Sequence, residues 1–197
     1  MDQTRFDRQL RFVEEIDKLK QVFRQTYLLD GSRKENSAEH SWHLAVYALV
    51  FSEYARADHL DVARVLQMAL VHDIVEVDAG DTYCYTDAPA AERQAREQQA
   101  ADRLFGLLPA DQAAQFLHLW QEFEARATPE ARFLAGLDRL QPLVHNYLTE
   151  GRSWREHGVA RAAVIERNRH LADGAPALWA FAERLINDAV TRGYLVP

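Results

Sequence analysis

Asp61-Val62-Ala63-Arg64-Val65-Leu66-Gln67-Met68-Ala69-Leu70-Val71-His72-Asp73 reads as one amphipathic helix that drives polar chemistry into a core. Val65, Met68, Ala69 and His72 recur at spacings of three and four, the period of one helical face. Asp61 has the side chain to cap the first turn. The apolar run ends in His72-Asp73, and Asp73 follows Ala69 and Leu70 by about one turn, on a face expected to be buried. A carboxylate taken out of water is costly unless it is paired or holds a cation.

The same period extends along the chain and predicts an all-α fold of about eight helices in a single domain spanning the whole sequence. Phe6, Leu10, Val13, Ile16, Leu19 and Phe23 predict a long first helix. Ser37 is the expected cap of a second, with His40, Leu44, Tyr47 and Phe51 facing inward. After the His72 helix, Asp87 and Pro89 open a fourth that runs to about Leu107, and Pro109 a fifth ending near Arg126. Thr128-Pro129-Glu130 supplies cap, first residue and acidic first turn for a sixth, with a kink expected at Pro142. Two more are expected over about Val159 to Leu171 and Pro176 to Arg192. No stretch alternates with period two, and Asp30-Gly31, the nearest thing to a hairpin turn, is flanked by helical patterns.

Composition excludes several classes. With 23 Lys plus Arg against 30 Asp plus Glu, the net charge of −7 argues against sequence-independent binding to a nucleic acid polymer. The longest apolar run, Leu44 to Phe51, is too short to span a bilayer, so no membrane partner is expected. The single cysteine, Cys84, cannot form an intramolecular disulfide, and the charged start resembles no secretory signal, so a cytoplasmic setting is expected. Cys84 also has no electropositive sequence neighbours, and there is no Gly-x-Ser-x-Gly elbow, phosphate-binding Gly-Lys-Ser/Thr loop or dinucleotide glycine fingerprint. The Glu-, Gln- and Arg-rich stretch from Ala90 to Asp102 reads as a solvated helix face.

What stands out is polar chemistry set in apolar stripes: His40 heading Leu44, Tyr47 and Phe51; His72-Asp73; and Asp138 within Phe133-Leu134-Ala135-Gly136-Leu137-Asp138-Arg139-Leu140. Singly, each fits a plainer role: a hydrogen-bonded core histidine, a turn cap, an aspartate paired with arginine. Together, groups from three helices can meet at one point. Two imidazoles and two carboxylates suit one divalent ion such as Mn, Fe, Co, Zn, Ni or Mg, with coordination positions left for water and substrate. Glu76, on a helix continuing past Asp73, is placed to serve as acid or base, or is simply a surface glutamate near a helix end. Asp81, in the turn after Gly80, can accept a hydrogen bond from a sugar hydroxyl or from its own backbone. Arg33, Lys34 and Arg139 are the candidate phosphate contacts, or ordinary surface charges.

The ordered set His40, His72-Asp73, Asp138 resembles the H…HD…D signature of the HD-domain metal-dependent phosphohydrolases. The words Arg33-Lys34-Glu35-Asn36-Ser37-Ala38-Glu39-His40-Ser41, His72-Asp73-Ile74-Val75-Glu76-Val77-Asp78-Ala79-Gly80-Asp81 and Leu137-Asp138-Arg139-Leu140-Gln141-Pro142 are similar to the 5′-deoxynucleotidase, HDDC2-like branch, which includes the oxetanocin-type enzymes. The resemblance implies a helical HD domain, usually a homodimer, with one divalent metal ion on His40, His72, Asp73 and Asp138. It implies hydrolysis of deoxynucleoside 5′-monophosphates to deoxynucleoside and phosphate, with Asp73 and Glu76 in the catalytic centre, Arg33 on the phosphate and Asp81 near the nucleotide. Bacterial 5′-deoxynucleotidases carry an Arg-Trp pair against the sugar 2′ position; counting back from Arg33 puts Gln25-Thr26 there, which leaves the sugar preference open. Two other readings keep the site: a different phosphorylated substrate (a deoxynucleoside triphosphate, guanosine tetraphosphate or a small phosphate ester), or a silent metal-binding helical dimer.

Overall fold

The computed structural model describes residues 2–81 and 90–197. The described helices are α1 (Gln3–Ile16), α2 (Ser37–Phe51), α3 (Val62–Val71), α4 (Glu76–Ala79), α5 (Ala90–Phe105), α6 (Ala110–Ala125), α7 (Pro129–Leu148), α8 (Arg152–Glu156), α9 (Arg161–Asn168), α10 (Leu171–Gly174) and α11 (Pro176–Thr191). The expected helical fold is therefore observed, with three short helices, α4, α8 and α10, added between the long ones. The expected opening of the α5 helix at Asp87 and Pro89 falls outside the described residues, as does Cys84. No described helix is long and apolar enough to cross a membrane.

The sequence reading fails most clearly between residues 17 and 36. The first helix stops at Ile16, a 3₁₀ turn covers Asp17–Gln21, and strands β1 (Phe23–Tyr27) and β2 (Lys34–Asn36) pair antiparallel around Asp30-Gly31. Gly31 sits at φ 68°, a left-handed turn position that glycine takes without steric cost. The pattern misled because β1 buries Arg24 and Thr26 while Phe23 is exposed, so its alternation runs opposite to hydrophobicity.

Caps and turns set the polar residues. The cap of α2 is Asn36 rather than Ser37: Asn36 Oδ1 accepts from the Glu39 amide at 2.9 Å, and Glu39 Oε2 accepts from the Asn36 amide at 3.1 Å. Glu39 three residues on makes this a reciprocal box that Ser37 cannot form with His40, and Ser37 is left free for another partner. Asp61 and Thr128 cap α3 and α7 as expected. The His72 helix does not continue: α3 ends at Val71, and three-residue bonds from Ile74 to Val71 and from Glu76 to Asp73 tighten the chain before α4.

One contiguous apolar core joins the helices. At its centre lies α7, which runs on through Pro142 and buries 12 of its 20 residues against α2, α3, α6, α10 and α11. Its closest neighbour is α10: a Cβ at Gly174 would lie 2.6 Å from the Arg132 carbonyl oxygen and 2.6 Å from Phe133 Cα, with no flexible side chain to yield. Gly174→Ala is expected to destabilise the fold by about 2–3 kcal/mol or more through this overpacking, read as a shifted midpoint in chemical denaturation.

Candidate metal centre

The donors converge where α2, the end of α3 and α7 meet. His40 Nε2 lies 3.0 Å from Asp138 Oδ1 and 3.9 Å from Asp73 Oδ2; His72 Nε2 lies 3.1 Å from Asp73 Oδ1 and 3.9 Å from Asp138 Oδ1. All four side chains are buried. His72 Nδ1 faces the Ala69 carbonyl at 2.9 Å and so carries the ring proton, which turns the Nε2 lone pair toward the two carboxylates. That nitrogen is buried and has no hydrogen-bond partner among the described residues. A lone pair facing carboxylate oxygens is an arrangement of acceptors that only a cation relieves, and His40, His72 and Asp73 offer ligand atoms all within 4.8 Å of one another. The residues present therefore fit a divalent ion.

Charges around the donors are strongly perturbed. Burial and Arg24 oppose a charge on His40, yet the Asp138 and Glu35 carboxylates and Asp73 outweigh them and raise the ring to about 9. Burial works against the Asp138 charge, but Arg139 and His40 hold its carboxyl well below the usual range. Glu76 behaves oppositely: burial, reinforced by Asp73, pushes it well above the usual carboxyl range. Its Oε2 accepts from the Ser37 hydroxyl at 2.5 Å, the contact that the Asn36 cap leaves Ser37 free to make. Asp81 is likewise raised, mainly by burial.

A cavity of about 110 Å³ opens beside the donors, lined among others by His72, Asp73, Glu76, Asp81, Asp138 and Arg139. Its cations come from separate elements, Arg24 on β1, Arg93 on α5, Arg126 at the end of α6, Arg139 on α7 and Arg167 on α9. Arg126 holds φ 49°, a left-handed backbone that costs a non-glycine residue roughly 1 kcal/mol. Burial and the neighbouring Arg139 lower its pKa, the sign of a cation short of negative charge.

Arg33 is not in this cavity. It is exposed in the hairpin turn just before β2, donating to both Glu39 carboxylate oxygens at 2.8 and 2.6 Å. Lys34 bonds Gln25. The residue that the sequence reading missed is Arg24: it is buried and its Nη1 donates to Asp73 Oδ2 at 3.0 Å. Counting back along the chain from Arg33 reached Gln25-Thr26, one residue short of the arginine that enters the site from β1. A second missed group had a visible signal: Asp138, Gln141 and His145 recur at three and four on α7, a polar stripe continuing the Asp138 face.

A family model described as HD domain matches residues 16–179. The chain belongs to the HD-domain family. A protein of Bos taurus named 5′-deoxynucleotidase HDDC2 is 32% identical to it over 136 residues, 68% of this chain and 64% of that protein. The Danio rerio protein of the same name is 27% identical over 188 residues, covering 85% of this chain and 92% of its own. The crystal structure of a protein from Magnetospirillum magnetotacticum MS-1, described as a predicted metal-dependent phosphohydrolase, superposes on this HD domain with a TM-score of 0.94 at 52% identity, covering 98% of this chain and 97% of that one. The chain spans just under two thirds of the length of the Bos taurus relative.

Because His40 must release a proton before its Nε2 can bind a cation, divalent-metal affinity is expected to weaken by about tenfold for each pH unit below about 9 and to level off above it. Isothermal titration of Mn²⁺ into the metal-free protein across that range measures the slope.

Proposed function

We propose that this HD domain is a metal-dependent phosphohydrolase that cleaves nucleoside 5′-monophosphates, deoxynucleotides among them, to nucleoside and phosphate. The observation that carries the reading is the His72 lone pair facing two buried carboxylates at the wall of an arginine-lined cavity. The names of the relatives supply the substrate class. In this reading His40, His72, Asp73 and Asp138 hold one divalent ion, which when bound supplies a Lewis acid and acidified water.

The chain's own groups do the rest. Arg126 and Arg139 take the phosphate and neutralise charge as it develops on the phosphoryl oxygens. Arg24, buried against Asp73, keeps that carboxylate oriented at the base of the cavity. Asp138 and Glu76 sit in environments that push their carboxyl groups in opposite directions, which divides the work between an ionised acceptor and a proton carrier. Glu76 holds its proton on the carboxyl beside Ser37 and delivers it to the departing 5′ oxygen. Asp81, on the cavity wall after Gly80, is positioned for a sugar hydroxyl.

The same reading treats the chain as a single cytoplasmic domain that works as a homodimer. Trp42, Leu49 and Val50, exposed on α2 at 65%, 54% and 59%, support an apolar surface covered by a partner copy.

Phosphate release from a panel of deoxynucleoside and ribonucleoside monophosphates, with a triphosphate included, tests the proposal in Mn²⁺ or Co²⁺. Chelation or Asp73→Ala is expected to abolish turnover, and no turnover by the wild type on any monophosphate would reject it. Glu76→Gln is expected to lower kcat by about 10²- to 10⁴-fold with little change in metal content. Arg126→Ala is expected to raise KM, whereas Arg33→Ala, outside the cavity, changes it little.

A further inference from the structure

Behind His40, away from the cavity, lies a second buried polar cluster. Gln141 is fully buried, and its amide touches four groups. Its Oε1 lies 3.1 Å from His40 Nδ1, while its Nε2 lies 2.8 Å from Glu35 Oε1, 3.2 Å from His145 Nε2 and 3.3 Å from His43 Nδ1. Glu35, His43 and His145 offer ligand atoms within 4.8 Å of one another, and the amide nitrogen occupies the place a cation would take among them.

The hydrogen bonds here admit one assignment. A carboxylate oxygen only accepts, so the Gln141 atom beside Glu35 must be the NH₂ group. His145 Nδ1 faces the Tyr27 backbone carbonyl at 3.0 Å, which also only accepts; Nδ1 therefore carries the proton and Nε2 offers a lone pair to the same NH₂. With the amide nitrogen pinned on that side, its oxygen must face His40, and His40 Nδ1 must be the donor. Nε2 faces Asp73 and Asp138, so the proton that His40 gives up on binding a cation is the one on Nε2, and its lone pair then points at the metal position. A ligating histidine commonly has its orientation and tautomer set by the partner of its other nitrogen.

We propose that Gln141, locked by Glu35 and by His145 on the Tyr27 carbonyl, is the positioning residue that fixes the tautomer of His40 for metal binding. The proposal rests on His40 being a metal ligand. It gives the hairpin a role in the site: β1 supplies the carbonyl and β2 the carboxylate at the two fixed ends of the chain of bonds.

Mn²⁺ and Co²⁺ titrations of the wild type and of Gln141→Leu and Gln141→Glu test it, with thermal melts alongside. The wild type is expected to bind one ion per chain; Gln141→Leu is expected to bind it about 10- to 100-fold more weakly. Gln141→Glu is expected to recover affinity to within a few-fold, because a carboxyl oxygen still accepts the Nδ1 proton while its second oxygen shares a proton with Glu35. Leucine fills about the same space as glutamine, so a packing role alone predicts little loss in Gln141→Leu. Should Gln141→Leu fail to melt cooperatively, Glu35→Gln replaces it: either amide can then turn over, and affinity is expected to fall several-fold. Equal affinity in wild type and the folded variant overturns the proposal, as does a second ion bound in place of the amide. Absence of any binding by the wild type instead removes the metal-ligand reading beneath it.

Discussion

The Nε2 lone pair of His72 points at the carboxylates of Asp73 and Asp138, and none of the described residues donates to it. Acceptors facing acceptors in a buried site repel one another, so the surrounding structure must hold them together at a cost. The holding is visible in the partners. The Ala69 carbonyl fixes His72, the Arg24 guanidinium pins Asp73, and Gln141 steadies His40. Helix α7 carries Asp138 into the core, where it is buried. A site strained in this way is relieved by a cation, and His40, His72 and Asp73 offer ligand atoms close enough together to hold one.

The local breaks in regular structure serve the same end. Had α3 continued past Val71, Glu76 would have followed Asp73 on an unbroken helical face; the tight turns between them let α4 restart with Glu76 beside Ser37. Asn36 takes over the cap of α2 and releases the Ser37 hydroxyl for that contact. Arg126 accepts a left-handed backbone at the end of α6, and its side chain joins the cavity wall. The tight turns before Glu76 and the left-handed Arg126 both fall at groups that line the site.

Much of the donor set was legible in the chain because it contradicts its setting. Aspartate at 73 and 138 and histidine at 40 and 72 stand in helical apolar stripes, and period alone placed them inward. The phosphate contacts were not legible in that way. Arg33 looked apt beside the His40 helix, but Glu39 neutralises it at the surface, while Arg24 and Arg126 looked like ordinary charges in a helix and at a helix end. An arginine gives no periodic signal that separates a buried cation from a solvated one, since its burial is set by which carboxylates other elements bring to it.

The sequence by itself determined the helical class, the helix caps at Asp61 and Thr128 and the inward faces of α2, α3 and α7, because these depend on side-chain spacing within one element. Only the tertiary structure decided that the segment after Ile16 is a hairpin, that Arg24 and not Arg33 reaches the donors, and that Gln141 links Glu35, His145 and His40. The bonds from Arg24 to Asp73 and from Gln141 to Glu35 and His40 join residues roughly fifty to a hundred positions apart, whose distances no local pattern encodes.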